Sequence, residues 1–402
     1  MSNHVRLARN ACVLLLVIVL AGCATFARVP FTANQQAIAQ IPGMPGVRYW
    51  ADASREEFLP VFHMKSMRAV ADTYGTMDFL AISGGASDGA FGAGILTGLS
   101  ADGKRPNFIF VSGVSAGALI APLAFLGPDY DDELKFAWTS GIAEQVGEGG
   151  ILSLLFSQES RRTALYELVA SFVTEELIQK VAVEHRRGRR LAVITTNIDA
   201  QRPVLWDLGA VAASGHPGAL QLFRDVLTAS ASIPGAFAPT QIEVEADGQR
   251  FTELHVDGGA TMQVFTIPES ILLKDLPEDA IAYGIPARFF VIVNNRLKPE
   301  FEVVEASALP LLGRSLSSLI KTHARLTLLA TYEFTRSRKI GFYLTYIGDD
   351  FPSEPKPSFE TAYMRSVYRY GFDKAVSGKA WVTDLQSLQG GASGGPRRTA
   401  RR

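Results

Sequence analysis

The stretch from Phe108 to Leu126 constrains the fold more than any other part of the chain. Phe108-Ile109-Phe110-Val111 is short, apolar and strand-like. Ala118-Leu119-Ile120-Ala121-Pro122-Leu123-Ala124-Phe125-Leu126 is apolar nearly all round and long enough for a buried helix. Between them lies only Gly113-Val114-Ser115-Ala116-Gly117 after Ser112. The small residues around Ser115 let the chain turn sharply enough to push its hydroxyl out of the fold. A helix beginning just past it aims free N–H groups at developing negative charge. A serine presented in this way is suited to nucleophilic attack on an acyl carbon.

G-x-S-x-G by itself is a weak signal, because the chain holds three copies. Gly391-Ala392-Ser393-Gly394-Gly395 falls in a Gly/Ser/Arg-rich tail, 388–402, which reads as disordered. Gly85-Ala86-Ser87-Asp88-Gly89 is a true rival, since it also follows a strand-like run, Phe79-Leu80-Ala81-Ile82, and opens a helix. Local physics does not choose between Ser115 and Ser87.

Strand-like and helical segments alternate from about residue 76. Strands are predicted at Phe79–Ser83, Phe108–Ser112, Leu191–Thr196, Pro203–Trp206, Arg288–Asn294 and Ile340–Ile347, with a hairpin, Ile242–Ala246 and Phe251–Val256, about Asp247-Gly248. Helices are predicted at Gly89–Leu99, Ala116–Leu126, Leu220–Ala231, Leu311–Arg336 and Phe359–Ser377, and several more between residues 131 and 186. Apolar strands alternating with helices predict an α/β domain with a largely parallel sheet covered on both faces. Net charge is −1 over 402 residues, which implies no attraction to nucleic acid.

The N-terminus reads as an export signal, residues 1–22. Arg6 and Arg9 precede an apolar stretch, Ala11 to Leu20, that is shorter than the ~20 residues of a membrane span. It ends in Leu20-Ala21-Gly22-Cys23, which resembles the bacterial lipobox; by that resemblance Cys23 is lipidated and becomes the first mature residue. The expectation is a protein anchored by lipid in the bacterial cell envelope, at the outer membrane facing the periplasm. The Pro/Gly-rich segment 23–60 reads as a tether and lead-in, with folding starting near Arg48-Tyr49-Trp50. Cys12 and Cys23 are the only cysteines, so the mature chain has neither a disulfide nor a free thiol, and thiolate catalysis is excluded.

Two further motifs bear on chemistry. Ser83-Gly84-Gly85-Ala86-Ser87-Asp88-Gly89 joins a strand to a helix, and its glycines leave backbone N–H groups unshielded. The dinucleotide-binding pattern fails because Thr97 stands where a third glycine is needed, and no Gly-Lys-Ser/Thr completes a P-loop. An oxyanion hole remains as the chemical use, and a tight packing turn as the structural one. Asp257-Gly258-Gly259 follows the strand-like Leu254-His255-Val256 and supplies either a carboxylate base or a turn.

A glycine-rich loop, then G-x-S-x-G, then D-G-G, in this order, resembles the patatin-like phospholipases. Ala229-Ser230-Ala231-Ser232-Ile233-Pro234-Gly235 before the aspartate and Thr195-Thr196-Asn197-Ile198-Asp199 fit as well, and the resemblance covers roughly residues 76–385. It implies a three-layer α/β/α sandwich and an acyl hydrolase of membrane phospholipids or related lipid esters, without cofactor or metal. It also implies Ser115 as nucleophile, Asp257 as base, N–H groups of Gly84, Gly85 and Ala86 as oxyanion hole, and Gly89, Gly113, Gly117, Gly258 and Gly259 as motif glycines. Ser87 then belongs to the oxyanion loop. Family loops carry a third glycine and a basic residue where this chain has Ala86 and Asp88. A carboxylate there disfavours an oxyanion unless it is neutralised or turned away.

Other readings use the same residues. A lipid-binding protein without catalysis, an acyltransferase or a thioesterase are alternatives. A Ser–His–Asp triad would take His323, yet Leu312, Leu316, Leu319, His323 and Leu326 share one helical stripe, which reads as a core face. His255 is two residues before Asp257 and points to the same strand face. His185-Arg186-Arg187-Gly188-Arg189-Arg190 reads as a solvated turn.

Overall fold

The computed structural model describes residues 28–58, 64–144, 158–272, 285–301, 303–352 and 359–385. The export signal 1–22, Cys23, His63 and the tail 388–402 lie outside the described residues.

Nine strands form one sheet: β1 (Arg48–Trp50), β2 (Met77–Ile82), β3 (Phe110–Val114), β4 (Arg190–Asn197), β5 (Arg202–Asp207), β6 (Thr240–Ala246), β7 (Gln249–Asp257), β8 (Ala287–Val293) and β9 (Gly341–Tyr346). Their order is β1-β5-β4-β3-β2-β8-β9. The five from β4 to β9 run parallel. β5 turns back antiparallel to β4, and the β6–β7 hairpin attaches where Thr195 faces Asp257 across β4 and β7. The hairpin turns at Asp247 and Gly248, both with positive φ, as a tight two-residue turn requires.

Side-chain alternation along the strands feeds two cores. On β3 and β4, Val111, Leu191 and Val193 face one way, while Phe110, Val114, Ala192 and Ile194 face the other. The larger core is closed by α3 (Gly89–Ala101), α4 (Ala116–Leu126), α5 (Glu175–Arg186), α6 (Ala219–Ser230) and α8 (Thr361–Val376). The opposite face is closed by α2 (Met64–Tyr74) and the C-terminal half of α7 (Ala308–Ser337). The result is the three-layer α/β/α sandwich with a largely parallel sheet.

The sheet also draws in part of the segment read as a tether. A short helix, α1 (Ala33–Ile38), is followed by buried Ala39, Ile41, Met44 and Val47, so folding begins before Arg48. Arg48 is itself buried and pairs with Glu253 at 3.1 Å, and Glu253 also meets His255 Nε2 at 3.0 Å. The Thr195 hydroxyl and His255 Nδ1 are 2.9 Å apart. The basic turn also differs from its expectation. Arg189 and Arg190 are buried, and the Arg189 guanidinium donates to the carbonyls of Phe108 and Phe125. One carbonyl sits just before β3 begins and the other where α4 ends, and a long cation reaches both without leaving its charge unpaired, since Glu184 lies 2.9 Å away.

Candidate active site

Ser115 sits between the C-terminal end of β3 and the first residue of α4. Its φ of 54° is a left-handed backbone that a non-glycine residue adopts only when the surroundings force it. Two contacts impose that geometry. A Cβ on Gly113 would come within 2.3 Å of the Gly117 carbonyl oxygen, and one on Gly117 within 2.3 Å of the Ile82 carbonyl oxygen. Only glycine allows strand, helix and neighbouring strand to approach so closely. The turn is then fixed from below: the Ser115 N–H donates to Ser230 Oγ at 3.0 Å, and Ser230 Oγ donates to the Ile194 carbonyl at 2.6 Å.

Asp257 ends β7 and is brought to the same point by pairing with β4. Ser115 Oγ donates to Asp257 Oδ2 at 2.6 Å. Asp257 Oδ1 accepts from the Gly259 N–H at 2.7 Å, and its main-chain carbonyl accepts from the Thr196 hydroxyl at 3.0 Å. A Cβ on Gly258 would meet the Ile194 carbonyl at 2.4 Å, which explains a glycine directly after the aspartate. Burial dominates the charge state: it raises the Asp257 carboxyl from 3.8 to about 7, against the lowering effect of the Ser115 and Gly259 hydrogen bonds. A carboxylate that titrates near neutrality is matched to taking and returning a proton.

The glycine-rich loop lies beside this pair; a Cβ on Gly84 would be 3.0 Å from Ser115 Cβ. Asn294, just past β8, straps the loop down. Its side-chain amide donates to the Ser83 carbonyl at 2.8 Å, its N–H donates to Ser83 Oγ at 2.9 Å, and its Oδ1 accepts from the Gly92 N–H at 3.0 Å. The three loop residues do not have equal roles. The Gly84 N–H donates to the Gln263 carbonyl at 3.2 Å, so it is not available to an oxyanion, which corrects the expectation of three donors. Among the described residues, the N–H groups of Gly85 and Ala86 have no acceptor. Ala86 has a φ of 47°, directly after a Gly85 with φ 168° and ψ 6°.

Asp88, buried in the loop, has a donor on α8. Its Oδ1 accepts from the Tyr363 hydroxyl on α8 at 2.6 Å. Burial first, and then the Asp88 charge, push the Tyr363 phenol well up, so it remains a donor. The Asp88 carboxylate is thereby held toward α8 by a hydrogen bond. Gly89 packs against the Trp138 ring, where a Cβ would come within 2.3 Å.

An apolar cleft of about 600 Å³, counting space open to solvent, reaches Ser115 and Ala86. Leu119, Trp138, Leu165, Leu168, Phe172 and Phe237 line it. Its walls suit hydrocarbon and offer little to a polar substrate.

Several supporting residues were not assigned roles from sequence. Ser230 lies in a fragment that the resemblance picks out, yet its grip on the Ser115 N–H depends on α6 packing over β4. Gln263 is buried next to Gly84 and Gly259, six residues past Asp257, and no local pattern marks it. Of the histidines, His255 faces Glu253 and Thr195, and burial lowers its pKa, so it stays neutral. His323 lies on α7, in neither the hydrogen bonds nor the cleft of Ser115.

The site thus combines a serine on a strained strand-to-helix turn of a parallel sheet with a carboxyl and an apolar cleft. Residues 80–268, somewhat under half of the chain, match the model of the patatin-like phospholipase family. No curated protein matches the chain. Among solved structures it is similar to VipD from Legionella pneumophila (13% identity, 76% of this chain and 67% of that one, TM-score 0.31). It is also similar to human GIVD cytosolic phospholipase A2 (11%, 77% and 52%, 0.32) and to the type III effector protein ExoU (14%, 76% and 53%, 0.28). The chain thus spans about half the length of the last two.

Proposed function

We propose that the protein hydrolyses acyl esters of membrane phospholipids through a Ser115–Asp257 dyad. The observation that carries this reading is the 2.6 Å hydrogen bond from Ser115 Oγ to Asp257 Oδ2 at the edge of an apolar cleft. Ser115 Oγ attacks the acyl carbonyl carbon and Asp257 takes the hydroxyl proton. The N–H groups of Gly85 and Ala86 receive the oxyanion. As the tetrahedral intermediate collapses, Asp257 returns the proton to the departing alcohol and an acyl-serine remains. Asp257 then takes a proton from water as its oxygen attacks the acyl-serine; when this second intermediate collapses, the bond to Ser115 Oγ breaks, Asp257 returns the proton to Oγ, and the fatty acid leaves. The acyl chain occupies the cleft, whose apolar walls give it a place out of water at roughly 25 cal/mol per Å² buried.

The hydrogen bond from Tyr363 to Asp88 is compatible with catalysis, because it gives the loop's carboxylate a donor outside the loop. In this reading the chain is held at its substrate by lipid on Cys23, in the bacterial envelope. Metabolic labelling with a fatty acid, with and without Cys23→Ser, tests that part. A fluorophosphonate probe tests the nucleophile: labelling of the wild type that disappears in Ser115→Ala and persists in Ser87→Ala is expected. An adduct that survives Ser115→Ala would refute the assignment. Release of fatty acid rather than its transfer to an added alcohol separates hydrolase from acyltransferase.

A further inference from the structure

Among the described side chains of helix α7, five leucines face outward. Leu316, Leu319 and Leu326, part of the stripe whose spacing reads as a core face, are exposed, Leu319 to 67% and Leu326 to 61%. Leu311 and Leu329 are exposed as well. At 3.6 residues per turn these five leucines share an arc of about 140°. The buried contacts of α7 lie in its C-terminal half: Leu328, Thr331 and Phe334 pack on the sheet, and the Thr331 and Thr266 hydroxyls are 2.7 Å apart.

The reason is length. A helix of 30 residues is about 45 Å long, whereas a six-residue strand such as β9 spans about 20 Å. α7 ends at Ser337, just before β9 starts at Gly341, and Leu328 packs near the strand ends where Phe334 packs near their beginnings. The helix therefore runs against the strands, and its first half overhangs their C-terminal edge. Ser115 and the glycine-rich loop sit at that same edge, directly after β3 and β2.

Charge singles out the occupant. Between Ala308 and Leu326 the helix carries Arg314, Lys321 and Arg325 and no acidic residue. These cations border one side of the leucine arc. Lys321 meets the Glu300 carboxylate at 2.5 Å, Arg296 meets its other oxygen at 2.9 Å, and Arg314 donates to the Glu300 main-chain carbonyl. Leucines flanked by cations, on a helix that is not long and apolar enough to cross a membrane, match the chemistry of an anionic lipid surface.

We propose that the overhanging half of α7 lies in the surface of an anionic phospholipid bilayer and sets the sheet edge bearing Ser115 against it. The choice of lipid as occupant rests on the proposed lipid-hydrolase reading. The test uses the full chain with Cys12→Ser, Cys23→Ser and Ser115→Ala, so that no anchor and no hydrolysis enters. An environment-sensitive fluorophore is placed at Thr322→Cys, between Leu319 and Leu326. On phosphatidylglycerol vesicles its emission is expected to shift to the blue and rise several-fold, while the same label at Asp72→Cys, on α2, does not change. Leu319→Gln and Leu326→Gln should each weaken binding about tenfold. In the Ser115 parent both should leave hydrolysis of a soluble short-chain ester unchanged. No shift at position 322, an equal shift at position 72, or a dimer that dissociates in the leucine variants with no lipid binding would overturn the proposal. Loss of soluble-ester hydrolysis in the parent itself would instead strike the catalytic reading, which the fluorophore does not depend on.

Discussion

Asp257→Asn should make the protein more stable and catalytically inert, and the gain should depend on pH. The carboxyl is buried and titrates at about 7 in the fold, against 3.8 when exposed. Its charged form is thus disfavoured by folding. The sign follows from linkage: below about pH 4 the group is protonated in both states and folding is not penalised, and as pH rises through 7 the penalty becomes complete. A displacement from 3.8 to about 7 corresponds to roughly 4 kcal/mol at pH 8, and to roughly half of that at pH 5. Asparagine keeps an acceptor for the Gly259 N–H and has no charge to bury. The variant should therefore gain about 2 kcal/mol more at pH 8 than at pH 5, read as a difference of about 3 °C in thermal midpoint for a domain of this size. Ester hydrolysis should fall by about 10²–10⁴ when the base is removed. In the wild type, kcat/KM should climb tenfold per pH unit below 7 and level off above it. Paired melting scans at pH 5 and 8 decide the matter. A midpoint gain that is the same at both pH values, or a loss at pH 8, would show that burial does not set the state of Asp257.

Other substitutions probe the rest of the site. Ser230→Ala removes the acceptor of the Ser115 N–H and should cost about 1–3 kcal/mol of stability together with a fall in kcat, measured by denaturant unfolding and ester turnover. Tyr363→Phe removes the hydroxyl that donates to Asp88, so kcat should drop; adding Asp88→Asn should restore it, and a double variant as slow as the single one would refute the electrostatic account. Gly85→Ala places a Cβ 2.2 Å from the Asn294 carbonyl oxygen and should abolish fluorophosphonate labelling even where circular dichroism shows a folded chain. His323→Ala should leave ester turnover within twofold of wild type.

Local chemistry made the sheet and the nucleophile legible. Apolar strands, Asp247-Gly248 and the glycines around Ser115 each act within a few residues, so their consequences appear in the sequence. Contacts across the fold do not. That the Gly84 N–H is taken by Gln263, and that Tyr363 holds Asp88, depends on segments roughly 180 and 275 positions apart meeting at one sheet edge. Periodicity misled at α7 because a 3.6-residue stripe of leucine has the same pattern whether it faces a core or a lipid surface. Arg189 and Arg190 misled in the opposite sense: a run of cations usually stays in water, and only the two open carbonyls of Phe108 and Phe125 give Arg189 a reason to go inside.

The buried Arg48–Glu253–His255 cluster bears on where the smallest self-sufficient unit of this protein begins. Glu253 stands four residues before Asp257 on the same strand, and its cation comes from β1, more than thirty residues ahead of the segment that matches the family. A fragment cut to residues 80–268 would take the Arg48 cation from buried Glu253 and leave it only the His255 ring as a partner, at a cost of about 3–5 kcal/mol. It would also strip β8 and β9 from the sheet edge. The recognisable homologous portion is therefore shorter than the unit that can fold, and the N-terminal lead-in serves as a clasp on the strand that delivers Asp257.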